Sequence, residues 1–286
     1  MDMNGPAPPK VSVIIPTYNQ ADLLAKALQS VVMQTYSDWE AIVIDNHSPD
    51  GTKDVVESIR DTRIRYLPFS NRGVIAASRN YGIRMAAGDI IAFLDSDDLW
   101  YPTKITECLI PLEQGADIVC HGLRIRRDGT LGEILSPGPI PGSVFTSLLF
   151  RGNSSIATSA VMAKKVCFDR FGLFSEEPAL VTAEDYEMWL RLAGSGVRWA
   201  FIPVVLGEYT VHGMNASGNV QKQMLAEERI VMKYCREMPN PTLRERLACR
   251  KRRMMVILRA GARIWQTGNI GAALPYFLKG ILRGLY

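Results

Sequence analysis

Apolar runs and helical stripes alternate through the first hundred residues. Val11–Ile15 is a short β-branched run closed by Pro16. Leu24, Ala27, Leu28 and Val31 then fall at i, i+3, i+4 and i+7, one face of a helix. Trp39–Ile44 is the next apolar run and ends on Asp45; Asp50 can cap a helix running through Ile59. Ile64–Leu67 reads as a third strand, and Val74, Ala77, Tyr81 and Met85 as a second helical stripe. Ile90–Leu94 is a fourth strand that runs straight into Asp95, and Pro102 fits the first turn of a following helix.

Strands this continuously apolar, separated by helices, predict an α/β fold whose mostly parallel sheet is covered on both faces. Such sheets bind ligands at the carboxyl ends of their strands. Tyr18, Asp45 and Asp95–Asp97 all stand at such ends. Further on, Asp128–Gly142 is rich in Gly and Pro and reads as a loop with a short hairpin. Ser159–Ala163, Val197–Ile202 and Glu208–Val211 read as strands, and Tyr186, Trp189, Leu190 and Ala193 as a helical stripe. Beyond Gly218 the pattern is helical, with breaks at Pro239–Pro241 and Gly268.

Composition narrows the class. With 286 residues, 47% hydrophobic and 22% charged, the chain suits one large α/β domain with an appendage, or two modest domains. No apolar run approaches the roughly 20 residues that span a bilayer. Met1–Lys10 is Pro-rich without an apolar core, so no signal peptide is expected, and a cytoplasmic location follows. Cys108, Cys120, Cys167, Cys235 and Cys249 are far apart and form no CxxC pair; free buried thiols are expected.

Charge is unevenly spread. Residues 218–286 hold 14 Lys/Arg and 4 Asp/Glu, whereas residues 1–217 hold 19 and 25. An acidic body with a basic tail suits an anionic partner. The densest run, Arg250-Lys251-Arg252-Arg253, is followed by Met254, Met255, Ile257, Leu258 and Trp265, a composition that fits an anionic membrane surface. Packing of that apolar stripe on the catalytic body is the alternative. No nucleic-acid-binding module is recognisable, so none is expected as partner.

The sharpest chemical feature is Asp95-Ser96-Asp97-Asp98. Three carboxylates in four residues repel one another unless a cation or hydrogen bonds compensate. A hard divalent ion, Mn²⁺ or Mg²⁺, takes oxygen ligands of this kind together with substrate phosphates; a solvated acidic turn capping the next helix is the alternative. Glu184-Asp185 precedes a helix, where acids cap well, yet a carboxylate in a cleft also serves as general base. His212 ends a strand pattern and is followed by Gly213–Gly218, a loop able to fold over a ligand; it could complete a metal's coordination or touch a phosphate. Asn71-Arg72-Gly73 and Arg79-Asn80 flank a helix start, where Arg suits phosphate. There is no GxGxxG after the first strand, no GxxxxGK[ST] and no GxSxG.

Taken together and in order, Val13–Asn19, Ile42–Asn46, Asn71–Gly73, Ser78–Gly82, Gly88–Asp98, Glu184-Asp185 and Tyr209–His212 resemble the family 2 glycosyltransferases. The resemblance spans residues 11 to about 217. It implies a GT-A fold, doubly wound and mostly parallel with helices on both faces; the helical pattern beyond Gly218 adds a C-terminal helical appendage. It implies a catalytic domain at 11–217 (donor half to about 98, acceptor half from 99); composition and pattern add a flexible tail at 1–10 and a basic helical region at 218–286, which lies outside the family's core.

By the same resemblance, Pro16, Tyr18, Asn19 and Asp45 would hold the nucleoside of a nucleotide-sugar donor, UDP by default. Arg72, Arg79, Asp95 and Ser96 would lie near the uridine or diphosphate. Asp95–Asp97 would be the DxD motif, with Asp97 and His212 holding the metal, Asp185 the catalytic base and Glu184 its neighbour. A sugar would pass with inversion to a hydroxyl of a glycan, lipid-linked or similar acceptor. The basic tail, not the resemblance, adds the expectation of peripheral attachment at the inner face of the cell membrane. Asn46 departs from the family, where a second acid is common. A nucleotidyltransferase is the rival enzyme, but Pro16-Thr17-Tyr18-Asn19 is not the Gly-rich basic loop it needs. An inactive donor-binding module with a membrane-associating tail is the rival non-enzyme.

Overall fold

The chain folds as an α/β protein in a computed structural model that describes residues 10–137, 142–153, 156–212 and 219–285. Two expected segments, the tail before Lys10 and the loop 213–218, lie outside the described residues.

Strands β1 (Val11–Thr17), β2 (Trp39–Asp45), β3 (Ile64–Pro68) and β4 (Ile90–Phe93) match the four apolar runs. They pair in parallel in the order β3-β2-β1-β4. Every residue of β1 and β2 is buried. Successive side chains of a strand point to opposite faces, so both faces of this part of the sheet are covered. On one face Val11, Val13 and Ile15 pack with Leu24, Leu28 and Val31 of α1 (Ala21–Val32), with Val56 of α2 (Thr52–Ile59) and with Ile105 and Leu109 of α4 (Lys104–Glu113). On the other lies α3 (Ile75–Met85), brought so close that a Cβ on Gly82 would stand 2.6 Å from Ile14 Cγ2.

The α3 stripe departs from the expected one. Ala76, Ala77, Ser78, Arg79, Asn80, Gly82 and Ile83 are buried, while Met85 is 36% exposed. The polar members of that face are internally bonded, which is why hydrophobic spacing missed it. Asn80 donates through Nδ2 to Phe174 O and accepts from Phe174 N, both at 2.9 Å.

The sheet continues with β8 (Val161–Lys164), β6 (Ile118–Arg127), β9 (Trp199–Val211) and β5 (Leu99–Trp100), while β7 (Thr130–Leu135) pairs with β6 as the expected hairpin. β8 is antiparallel to β4 and β6, and β9 is parallel to β6. The two strands expected between Val197 and Val211 are one. Pro203 has no N–H for a ladder, and the register shifts where it sits, between His121/Gly122 of β6 and Ile202/Val205 of β9. Lys104 of α4 is wholly buried, its Nζ 3.6 Å over the Trp100 ring and without a hydrogen-bond partner among the described residues.

The sheet strands, α1–α4 and α6 (Lys165–Phe171) form one compact unit. A second gathers α5 (Val144–Arg151), α7 (Glu184–Gly194), α8 (Val220–Glu237), α9 (Leu243–Gln266) and α10 (Ile270–Leu285). α9 begins with a capping box formed by Thr242 and Glu245. Within this unit Glu187 of α7 accepts from Tyr234 Oη of α8 at 2.9 Å.

Two expectations change in the helical unit. Cys235 and Cys249 are joined by a disulfide, while Cys108, Cys120 and Cys167 are free and buried. The non-helical connection at 238–242 folds α9 back on α8 and brings the two sulfurs together, a proximity that sequence spacing does not reveal. The run Arg250–Arg253 is not a free set of four cations. Arg252 is 2% exposed and paired with Glu227, and Arg253 Nη2 lies 4.0 Å from Glu228. Arg250 and Lys251 are exposed.

Candidate active site

The carboxyl ends of β1, β2 and β4 carry most of the expected donor residues. Pro16 is the sixth residue of β1, opposite Ile44 of β2. Just after β1, Tyr18 is 56% exposed and Asn19 takes a left-handed backbone with φ 54°. Asn19 N donates to Ser48 Oγ at 2.8 Å. The loop after β2 is folded around Asp45. Its carboxylate accepts from Ser48 N, from Ser48 Oγ at 2.5 Å and from Tyr66 Oη at 2.6 Å. Burial and Asp45 together push the Tyr66 phenol up, so it stays a donor. Asp45 therefore organises the loop that reaches across to Asn19.

Asn46, the departure from the family pattern, has a structural task. Its Oδ1 accepts from Asn71 N at 2.9 Å, and Asn71 in turn bonds Ser78 and Gly73. The loop after β2 is thereby tied to the loop that carries Arg72. Arg72 is exposed, with a left-handed φ of 52°.

The acidic cluster after β4 is held at both ends. Arg79, itself 4% exposed, donates to Asp95 Oδ1 at 2.8 Å, compensating one carboxylate. Ser96 Oγ donates to Gln20 Oε1 at 2.5 Å. Asp98 is buried and accepts from Ser159 Oγ at 2.5 Å and from Thr210 N at 2.8 Å. Ser159 Oγ also accepts from Asp95 N at 3.0 Å. One hydroxyl thus links the first and last acids of the cluster, and Asp98 links the cluster to β9.

Two residues beyond Thr210 is His212, whose Nε2 lies 2.8 Å from Asp97 Oδ2. Burial, then the charge of Asp95, holds the Asp97 carboxyl above the ordinary carboxylate range, with His212 pulling the other way. Asp98 is pushed well above it, first by burial and then by Asp97 and Asp95, with Ser159 and Thr210 opposing. Among the described residues, no three or more His, Cys, Asp or Glu side chains are gathered as a metal cage. The donor set nonetheless suits a hard divalent ion that takes one or two carboxylates and completes its shell with phosphate oxygens and water. A carboxyl destabilised by burial and a like charge is what such a cation would relieve.

Glu184 and Asp185 belong to the second unit, in the first turn of α7. Glu184 Oε2 accepts from Thr182 N at 2.9 Å, and Asp185 Oδ1 accepts from Tyr186 N at 2.7 Å. Tyr186 Oη donates to Leu148 O at 2.9 Å, anchoring the start of α7 to α5. Both acids thus hold backbone N–H groups near the helix start, where its dipole also favours negative charge.

Sequence reading missed Ser159, Ser48 and Tyr66 as parts of the site. Ser159 carries no local signal, since it acts through a fold-level contact 61 residues from Asp98. Ser48 was readable in principle, because a Ser three residues after an Asp at a strand end favours a side-chain-bonded turn.

The family model for glycosyl transferase family 2 matches residues 12–164, which takes in β1–β4 and the acidic cluster. The chain belongs to glycosyl transferase family 2. It is 37% identical over 187 residues to a glycosyltransferase of Rickettsia felis, covering 64% of this chain but 30% of that protein. It is 29% identical over 222 residues to the Escherichia coli UDP-Glc:alpha-D-GlcNAc-diphosphoundecaprenol beta-1,3-glucosyltransferase WfaP, covering 77% of this chain and 85% of that one.

Two solved structures share the fold. The mannosyltransferase PcManGT of Pyrobaculum calidifontis, in complex with GDP-Man and Mn²⁺, superposes with a TM-score of 0.64 at 21% identity, over 98% of this chain and 81% of that one. S. aureus TarS 1–349 with UDP-GlcNAc gives 0.61 at 16%, over 95% and 89%. The GT-A architecture expected for the chain is the one it has.

Proposed function

We propose that this glycosyltransferase moves a sugar from a UDP-linked donor to a hydroxyl of a lipid-linked glycan acceptor, with inversion at the anomeric carbon. The observation that carries the reading is the convergence of Asp97 and His212, beside Asp95 and Arg79, at the strand ends of a family 2 chain. The acceptor class rests on WfaP and WfgD of Escherichia coli, both described as acting on a diphosphoundecaprenol-linked sugar with UDP-Glc. Residence at the inner face of a membrane would put the enzyme beside such an acceptor.

In this reading Pro16, Tyr18 and Asn19 receive the nucleoside, and Asp45 fixes their loop through Ser48. Arg72, Arg79, Asp95 and Ser96 border the diphosphate. Asp97 and His212 would hold Mn²⁺ or Mg²⁺, which supplies positive charge to the leaving diphosphate. Arg79 is restrained by Asp95 before substrate arrives, the kind of preorganisation that stabilises developing charge. Asp185, with Glu184 beside it, takes the proton of the acceptor hydroxyl as its oxygen attacks the anomeric carbon. The nucleoside diphosphate departs from the opposite face, and a single displacement inverts the centre.

The test uses a donor of known anomeric configuration and a soluble acceptor analogue with a diphosphate-linked sugar. Proton NMR of the product should show the opposite configuration. Retention would rule out the single displacement and, with it, Asp185 as base.

A further inference from the structure

Helix α10 carries an apolar face with no partner among the described residues. Ile270, Leu274, Leu278, Ile281 and Leu282 are 54–57% exposed. They fall at i, i+4, i+8, i+11 and i+12, which places them on one side of the helix. The other side is the one that packs on α9. Ala273 is fully buried, and Cβ atoms built on Gly261 and Gly280 would meet Tyr276 and Phe277, and Leu258, respectively, at 3.2 Å or less. The small residues let the two helices sit close, so the exposed face is not a misplaced core. Trp265, 49% exposed at the end of α9, packs edge-on against Phe277 and extends the apolar surface towards the α9–α10 turn.

Charge identifies what covers this face. From Arg246 to Tyr286 the chain has nine Lys/Arg and no Asp or Glu. Arg252 is spent on Glu227 and Arg263 Nη1 donates to Gln223 Oε1 at 2.6 Å, while Arg246, Arg250, Lys251 and Arg259 are exposed. A second copy docking on this helix pair would bring two strongly basic segments of like sign together, and like charges oppose that contact. An anionic bilayer meets both demands, apolar interior below and phosphate above. Among the described residues no helix is long and apolar enough to cross a membrane.

We propose that α10 lies in the interfacial layer of an anionic lipid bilayer, with Ile270, Leu274, Leu278, Ile281 and Leu282 immersed and the α9 cations attracting the headgroups. This surface is distinct from the Arg250–Arg253 run considered as an anchor by itself. It stands apart from the donor chemistry, so it holds whatever sugar or acceptor the enzyme uses.

Flotation of purified protein with vesicles tests it, comparing phosphatidylcholine alone with equimolar phosphatidylcholine and phosphatidylglycerol. Wild type should float with the anionic vesicles and bind them less tightly at high salt. Leu274→Glu/Leu278→Glu should bind about tenfold less tightly or worse, and Arg250→Gln/Lys251→Gln/Arg259→Gln should lose the salt-sensitive part. Circular dichroism and melting temperature check folding, and both leucines are already half exposed. Leu278→Trp keeps the face apolar and should bind, its added emission shifting to the blue with anionic vesicles. Absence of wild-type binding, equal binding by the Glu variant, or no blue shift would each overturn the proposal. So would light scattering that shows a wild-type dimer converted to a monomer by the Glu substitutions, since the stripe would then belong to a second copy.

Discussion

His212 Nε2 and Asp97 Oδ2 meet at 2.8 Å, although 115 residues separate them in the chain. The contact ties the end of β9 to the acidic loop after β4. Asp97 sits beside Asp95 with its carboxyl raised by burial, so His212 is placed where it offsets an unfavourable local charge.

From that pair we expect metal and donor to bind as one event. Excess chelator should abolish transfer, and Mn²⁺ or Mg²⁺ should restore it. Asp97→Asn should weaken Mn²⁺ and UDP together by at least about tenfold, with His212→Ala acting in the same direction. Titration calorimetry of UDP with and without Mn²⁺ checks this. Full activity in excess chelator would contradict it.

Asp185→Asn should lower turnover by about 10²–10⁴ and leave donor affinity nearly unchanged, because the lost interaction belongs to the transition state. Glu184→Gln should be milder. The alternative is that Asp185 only caps α7, as its bond to Tyr186 N allows. In that case the variant would lose stability while turnover per folded molecule stayed intact.

Ser159→Ala removes one hydroxyl that serves both Asp95 and Asp98. The loss leaves Asp98, fully buried, with one bond fewer, at a cost of about 1–3 kcal/mol. UDP affinity should fall with it, since the loop carrying Asp97 is loosened. A drop in melting temperature with unchanged UDP affinity would show that the brace serves stability alone.

Much of the fold was readable because its signal is local. The buried strands β1, β2 and β4 show as continuous apolar runs, and α9 (Leu243–Gln266) fills the span between the breaks at Pro239–Pro241 and Gly268. The face of α3 was not readable, because Arg79 and Asn80 are buried by pairing rather than by hydrophobicity. The same reason hides Arg252, a cation in a basic run whose burial depends on Glu227 of another helix. The acids of the site announce themselves by crowding. Ser159, Ser48 and Tyr66 do not, since each is an ordinary residue made relevant by the chain that folds against it.

Lys104 gives a pH dependence of known sign. Burial lowers its amine from an ordinary 10.5 to about 8. Between these values the unfolded chain binds more protons than the folded one, so stability gains from this group as pH rises through that window. Below pH 8 the cost of charging the buried amine is felt in full. Lys104→Met should therefore be more stable than wild type at pH 7 by about 2–3 kcal/mol. The gap should close as pH approaches 10.5. Urea unfolding of both proteins across this range measures the gap directly; a gap that does not change with pH would contradict the burial account.

The central claim is that the strand-end site of this family 2 chain cleaves nucleotide sugars for transfer. Its most direct measurement is product analysis after incubating the purified protein and Mn²⁺ with a panel of nucleotide sugars, with and without a diphosphate-linked glycan acceptor. The account predicts release of nucleoside diphosphate from at least one donor, slow by hydrolysis alone and faster with acceptor, and lost in Asp97→Asn. Release of pyrophosphate would instead indicate a nucleotidyltransferase. No turnover of any donor by a protein that still binds UDP would reduce the chain to a binding module, and either result would contradict the claim.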